Sequence, residues 1–246
     1  MAENGGGQPP EQPFAGQIAL VTGASKGIGA ATALALGQTG AHVVLTARTA
    51  KALEAVEDRI HEAGGSATIA PMDLGEPDAI ARLAAAMGDR WEKLDLLVHA
   101  AAYLPLPGPV GQIDQKDFGR AITTNVLATQ ALLASFDPLL RRSEDARVIG
   151  FTSSIVDRAS PYWAGYGATK AASDFILECY GREVEKISKI RLALVNPGAV
   201  RTEMRAKAFP GEDPMSLRPP EDVAERVLAL LQHGFASGHR ESLDSD

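Results

Sequence analysis

The sequence predicts a single doubly wound α/β domain, a parallel sheet with helices packed on both faces. The first observation behind this is a series of short apolar runs at residues 18–21, 42–46, 67–70, 94–98, 147–151 and 190–195. They are nearly continuous in apolar character, as strands buried on both faces are. The second is the set of longer helix-like stretches between them, at residues 28–38, 50–63, 77–87, 116–140, 164–187 and 219–232. The third is the strict alternation of the two kinds, without an internal repeat. It implies right-handed crossovers and one parallel sheet.

Start and stop signals agree with this order. Pro77 and Pro220 suit the first turn of a helix, and Gly64-Gly65 suits a helix end. Residues 1–13 are rich in Gly, Gln and Pro and read as a disordered arm. The domain then runs over residues 14–236, and residues 237–246 read as a polar tail.

Composition narrows the function classes. Hydrophobic residues at 45% and charged residues at 22% are those of a soluble globular chain. A net charge of -7 leaves no basic excess to neutralise phosphates, so no nucleic-acid partner is expected. The single cysteine, Cys179, cannot form an internal disulfide and fits a reducing cytoplasm. No run is long and apolar enough to span a bilayer, and no signal peptide is read at the N-terminus. No membrane partner and no metal are expected.

The segment Thr22-Gly-Ala-Ser-Lys-Gly-Ile-Gly29 follows the first strand and opens the first helix. Its glycines allow a tight turn and close approach of backbone N–H groups to a pyrophosphate at the positive helix end. That makes Gly23, Ser25, Lys26, Gly27, Ile28 and Gly29 candidate cofactor contacts. The spacing differs from the G-x-G-x-x-G fingerprint. At the end of the second strand, Ala47 stands where an NAD site usually carries Asp or Glu, and Arg48 follows. With Lys26, Arg48 favours a 2′-phosphate, so NADP(H) is expected over NAD(H). Asp73-Leu74, ending the third strand, reads as an adenine contact or as a turn cap.

Tyr166 and Lys170 stand at i and i+4 and share a face if the segment is helical. A phenol near pKa ~10 is a poor acid or base at neutral pH, and an ammonium beside it is expected to pull that value down. Ser153 lies upstream, at the end of the fifth strand.

Together with Asn125-Val126 and Asn196-Pro-Gly198, these motifs identify a resemblance to the short-chain dehydrogenase/reductase family, over about residues 17–232. The resemblance implies a Rossmann-type fold and a tetrad of Asn125, Ser153, Tyr166 and Lys170. Tyr166 would be the general acid/base and Lys170 would bind the nicotinamide ribose. Ser153 would hydrogen-bond the reacting oxygen, and Asn125 would help place a relay water. It further implies cofactor contacts at Ala100, Ala101, Ala102, Pro197, Gly198, Val200 and Thr202. The substrate site would hold Ser153 and Tyr166, with Tyr103 and Trp163 as apolar walls and residues 205–218 as a lid.

The family usually reads Asn-Asn-Ala-Gly where this chain has His99-Ala100-Ala101-Ala102. Ala100 cannot make the side-chain ties of the second Asn, and Ala102 adds a methyl where glycine lets the cofactor approach. Both changes bear on cofactor affinity and on the central sheet. His99 reads as a packed strand-end histidine, or less simply as an acid/base.

A seventh strand, usual in the family, finds only the polar 238–243 stretch here, so it is expected to be missing or degenerate. The helices at 116–140 and 164–187 imply a homodimer, or else a homotetramer. The function implied is an NADP(H)-dependent oxidoreductase acting on a small-molecule carbonyl or alcohol. The alternative is a non-catalytic dinucleotide-binding regulatory module on the same fold.

Overall fold

The computed structural model describes residues 12–244. The strands are β1 (Ile18–Thr22), β2 (His42–Thr46), β3 (Ser66–Ile69), β4 (Leu96–His99), β5 (Arg147–Phe151), β6 (Arg191–Asn196) and β7 (His239–Ser242). They form one sheet in the order β3-β2-β1-β4-β5-β6-β7. Every pair is parallel. The helices are α1 (Gly27–Gln38), α2 (Ala50–Glu62), α3 (Ala79–Arg90), α4 (Gln115–Ile122), α5 (Ala128–Leu140), α6 (Ala164–Val184), α7 (Glu203–Ala208) and α8 (Pro220–His233).

Alternation along each strand divides the core in two. Ala19, Val21, Val43 and Leu45 face one way, onto α1, α2 and α8. Leu20, Val44, Leu97 and Val148 face the other, onto α3, α5 and α6. The order of strands reverses between β1 and β4, so their carboxyl ends open a crevice where a ligand is expected to lie.

Three expectations need correction. The seventh strand is present. β7 pairs with β6 from Ala193↔His239 to Asn196↔Ser242. Its composition is as polar as expected, because an edge strand needs partners rather than apolar burial. Arg240 donates to Glu178 on α6 at 2.9 Å, and Glu241 accepts from Arg226 on α8 at 2.6 Å. The ordered sheet therefore reaches into the stretch read as a tail.

The helix expected over 116–140 is interrupted. Thr123–Leu127 adopts one π-helical turn between α4 and α5, with Asn125 buried in it. Such turns are frequent at functional sites.

Pro77 lies ahead of α3 rather than in its first turn, because Asp78 takes a left-handed conformation, φ 59°. The arm expected over 1–13 falls mostly outside the described residues. Within them, Phe14 is buried against the first core half and its N–H bonds the Thr39 carbonyl, which anchors the chain entering β1.

Candidate active site

At the crevice, two glycines are required by space. A Cβ on Gly23 would stand 2.8 Å from the Ala101 backbone, and Gly23 has φ +66°. A Cβ on Gly29 would meet the Gly23 carbonyl oxygen at 2.3 Å. The glycine turn thus presses β1 against the end of β4 and against α1, leaving backbone N–H groups uncovered by side chains. That is a cradle for an anion at a helix start.

Ser25, Lys26 and Gly27 line a cavity of about 280 Å³ beside α1 and α2. Ile28 is half-buried on the core. Arg48, Met72, Asp73 and Arg82 line a second cavity, of about 610 Å³, beyond the ends of β2 and β3. Asp73 caps its own turn, accepting from the Gly75 N–H at 2.9 Å, and Leu74 packs on the second core half. Lys26 is not a free cation: its ammonium pairs with Glu203 at the start of α7. Thr202 caps α7 through the Arg205 N–H at 3.2 Å, and its methyl approaches Gly27. Val200 is buried and bridges to Arg218, whose guanidinium donates to the Pro197 carbonyl at 3.3 Å. Gly198 lies against Asp244.

The departure at 99–102 resolves into a hydrogen-bond chain. His99 is opposite Thr22 in the β1–β4 register. The Ala101 N–H donates to the Thr22 hydroxyl (3.2 Å), which in turn meets His99 Nδ1 at 2.8 Å. His99 Nε2 meets the Thr129 hydroxyl at 3.0 Å, and that hydroxyl donates to the Asn125 carbonyl at 2.7 Å. One assignment satisfies every member: Thr22 gives its proton to Nδ1, and Nε2–H donates to Thr129. His99 thus makes the tie that Ala100 cannot, and it reaches the π turn as well. Ala100 and Ala102 are half-buried along the crevice.

Burial, with Lys170 adding to it, pushes the His99 imidazole down to about 3. It is neutral in the fold at physiological pH, which favours the packed reading over acid/base work. Below about pH 6.5 the unfolded chain takes up a proton that the folded chain refuses. Stability is therefore complete above that pH and is lost as pH falls toward 3. Between pH 6.5 and 5 this one group is expected to cost about 2 kcal/mol. Urea unfolding at pH 7 and pH 5 measures it, with His99→Asn losing that part of the dependence. Equal pH dependence in parent and variant would refute the assignment.

Asn125 is 2% exposed and its side chain is fully engaged. Its Oδ1 accepts from the Tyr103 N–H at 2.7 Å, and its Nδ2 donates to the Tyr103 carbonyl and to Thr169 of α6, both at 2.8 Å. The π turn is thereby clamped to the loop after β4 and to α6. Tyr103 was expected to offer a wall. Instead its hydroxyl donates to Asp117 and Arg120 covers its ring, so the protein itself holds it.

Ser153 is half-buried just beyond β5, while Ser154 is exposed. Tyr166 and Lys170 lie on α6, and Lys170 is buried. The Lys170 ammonium donates to the Phe151 carbonyl, two residues before Ser153, and Thr152 donates to Asp174, one turn beyond Lys170. Two adjacent bonds thus fasten the strand end bearing Ser153 to the helix face bearing Tyr166. Trp163 meets Tyr166 edge-on at 6.1 Å and stacks on Phe209 at 5.5 Å. Arg205 also lies over the Phe209 ring, 3.8 Å from its centroid, and is held by Glu212 at 2.6 and 2.7 Å.

The expected lowering of the Tyr166 pKa is reversed. Burial, and after it the Asp174 charge, push the phenol up to about 12. Lys170 is itself held below the ordinary lysine value by burial, which outweighs the support of Asp174. Even a half-buried phenol is costlier to ionise than one in water, and Asp174 opposes its negative form. Tyr166 is therefore neutral, a proton donor, at physiological pH. The motif alone gave no sign of Asp174, Thr152 or Glu203.

Residues 17–213 match the family model for short chain dehydrogenases. YciK of Escherichia coli K12, an uncharacterized oxidoreductase, is 33% identical over 228 residues, covering 91% of this chain and 89% of its own. The 2,3-dihydro-2,3-dihydroxybenzoate dehydrogenase of Bacillus subtilis 168 is 28% identical over 251 residues, covering 93% and 95%. Among solved structures, the short chain dehydrogenase of Shigella flexneri superposes with a TM-score of 0.90 at 30% identity, over 96% of this chain and 93% of its own. A chain from E. coli CFT073 solved with NADPH gives 0.89 at 30% identity, over 96% and 100%. No described helix is long and apolar enough to cross a membrane.

Proposed function

The chain belongs to the short chain dehydrogenase family of oxidoreductases, and on that premise we propose that it uses NADP(H) to interconvert a carbonyl and a secondary alcohol, with Tyr166 as general acid/base. The observation that carries the proposal is the pair of bonds from Lys170 and Asp174 to the end of β5. They hold Ser153 and Tyr166 at the same end of the sheet as the glycine cradle.

The residues fit a dinucleotide. Gly23 and Gly29 leave backbone N–H groups open to the pyrophosphate, and the Ala100–Ala101 backbone lies directly beside Gly23, with Ala102 next along the crevice. Arg48 would hold the 2′-phosphate. Lys26 joins it by leaving Glu203, a loss of little consequence because both groups of that pair are exposed. When bound, the nicotinamide supplies or accepts the hydride. Tyr166, neutral at working pH, gives its proton to the carbonyl oxygen of the substrate in the reducing direction. Ser153 donates a hydrogen bond to the same oxygen as charge develops there. Lys170 keeps the end of β5 in place and would hydrogen-bond the ribose of the bound cofactor. Trp163 and Phe209 form an apolar wall, which supports a substrate with an apolar body.

That the E. coli CFT073 chain was solved with NADPH supports the cofactor choice. Leu127, 57% exposed, and Phe175, 69% exposed, offer apolar surface near α5 and on α6 and support a homodimer through those helices. The cytoplasm fits the lone Cys179. No observation favours the regulatory-module alternative.

Fluorescence titration with NADPH and NADH tests the cofactor reading. NADPH is expected to bind roughly tenfold tighter or more, and Arg48→Ala to remove most of that margin through the lost charge-assisted bonds. Preference for NADH would overturn it. NADPH oxidation against a panel of aldehydes and ketones then tests the reaction. No turnover with any member would count against the enzymatic reading.

A further inference from the structure

Asp174 is a buried carboxylate on α6, 2% exposed, one helical turn after Lys170 and two after Tyr166. Its Oδ2 accepts from Thr152, the neighbour of Ser153, and lies 3.5 Å from Arg240 Nη2 on β7. Its Oδ1 is buried with no partner. Leaving a lone pair of a carboxylate dry and unpaired is costly, and burial holds this carboxyl above the ordinary carboxylate range. A group kept at such cost in contact with the strand end of a site calls for a reason.

We propose that Asp174 is a positioning residue of this site: clamped by Arg240 from the seventh strand, its carboxylate holds the strand end that carries Ser153 and sets the electrostatic field at Tyr166 and Lys170. The proposal rests on the reading of Ser153, Tyr166 and Lys170 given above. The charged groups around the carboxylate come from three directions. Lys170 and Glu178 flank it on α6, and Tyr166 lies beyond Lys170. The end of β5 contributes only the neutral Thr152 hydroxyl. Arg240 arrives from β7, divided between Asp174 and Glu178, with Asp157 also acting on it.

The geometry gives each member a distinct task. Thr152 and Phe151 are consecutive, and each is bound by α6, one through Asp174 and the other through Lys170. Asp174 also supports the charge of Lys170 while opposing that of a Tyr166 phenolate. Arg240 offsets part of the Asp174 charge. Arg240 thus connects the edge strand to the helix face that bears Lys170 and Tyr166, and the polar composition of the strand serves that connection.

The test follows the Tyr166 ring in full-length protein labelled with carbon-13 at tyrosine Cζ, its signal assigned with Tyr166→Phe. Neither cofactor nor substrate is needed, so a failed carbonyl screen would leave this result standing on its own. Asp174→Asn keeps an acceptor for Thr152 and removes the charge. A charge two helical turns away, ~12 Å at an effective dielectric of ~20, shifts the phenol midpoint by roughly one pH unit. The expected result is a lower midpoint, so that at about pH 11 the ionised fraction of Tyr166 rises several-fold over the parent. Arg240→Gln is expected to lower that fraction, and Arg240→Lys to restore it. Circular dichroism at the same pH keeps unfolded samples, in which all tyrosines titrate alike, out of the comparison. Equal fractions in the parent and Asp174→Asn, or changes of the same sign in Asp174→Asn and Arg240→Gln, would overturn the proposal.

Discussion

Tyr166→Phe is expected to lower carbonyl turnover by roughly 10³-fold, within the range contributed by a general acid. NADPH binding should stay within about fivefold, the worth of one neutral hydrogen bond. The substitution removes one oxygen and little else. Phenylalanine keeps the edge contact with Trp163 and needs no new space on α6. The Lys170 bond to Phe151 and the Thr152 bond to Asp174 do not involve the phenol, so Ser153 stays in place. The loss should therefore fall on kcat, with KM little changed, as when an interaction made only in the transition state is removed. Steady-state kinetics with the best substrate of the carbonyl panel measures it. Turnover close to the parent's would take Tyr166 out of the reaction and leave Ser153 without its partner.

What the sequence carried and what it hid follow from the range of each interaction. The i, i+4 relation of Tyr166 and Lys170, and the glycines of the first turn, are local and were legible from spacing alone. The alternation that built the sheet was equally plain. The signals that failed were non-local. Glu203 reaches Lys26 across 177 positions, and no pattern within either segment announces it. The seventh strand escaped because hydrophobicity is a guide to buried strands. β7 is held instead by Arg240 and Glu241 reaching Glu178 and Arg226 on the flanking helices.

Residues 116–140 read as one helix because the π turn Thr123–Leu127 holds neither glycine nor proline to mark a break. The pKa of Tyr166 went the wrong way for a related reason. A nearby cation is visible in the sequence, while burial and the Asp174 charge appear only once the chain is folded. The departure at His99 was visible but not its remedy, since Thr22 and Thr129 come from different elements.

Gly29→Ala should destabilise the domain by about 2 kcal/mol, the overpacking cost less the helix-propensity gain, and weaken NADPH binding by about 100-fold or more. The sign is what makes this informative. On intrinsic propensity alone, alanine in a helix is better than glycine by about 1 kcal/mol. At Gly29 the new Cβ would stand 2.3 Å from the Gly23 carbonyl oxygen and 2.8 Å from its carbon, both backbone atoms. They cannot rotate aside as a side chain would, so either α1 or the glycine turn must move. α1 is wedged between α2 and α8, and overpacking there costs roughly 1–3 kcal/mol. Moving the turn instead misaims the N–H groups of the anion cradle, and losing two charge-assisted bonds accounts for the fall in affinity. Gly119, exposed on α4 with nothing within 4 Å of its would-be Cβ, is the control, and Gly119→Ala should raise stability. Urea unfolding and NADPH titration of the two variants separate space from propensity. If both alanines stabilise and both bind NADPH as the parent does, the close contact between β1 and α1 is not what shapes the cradle.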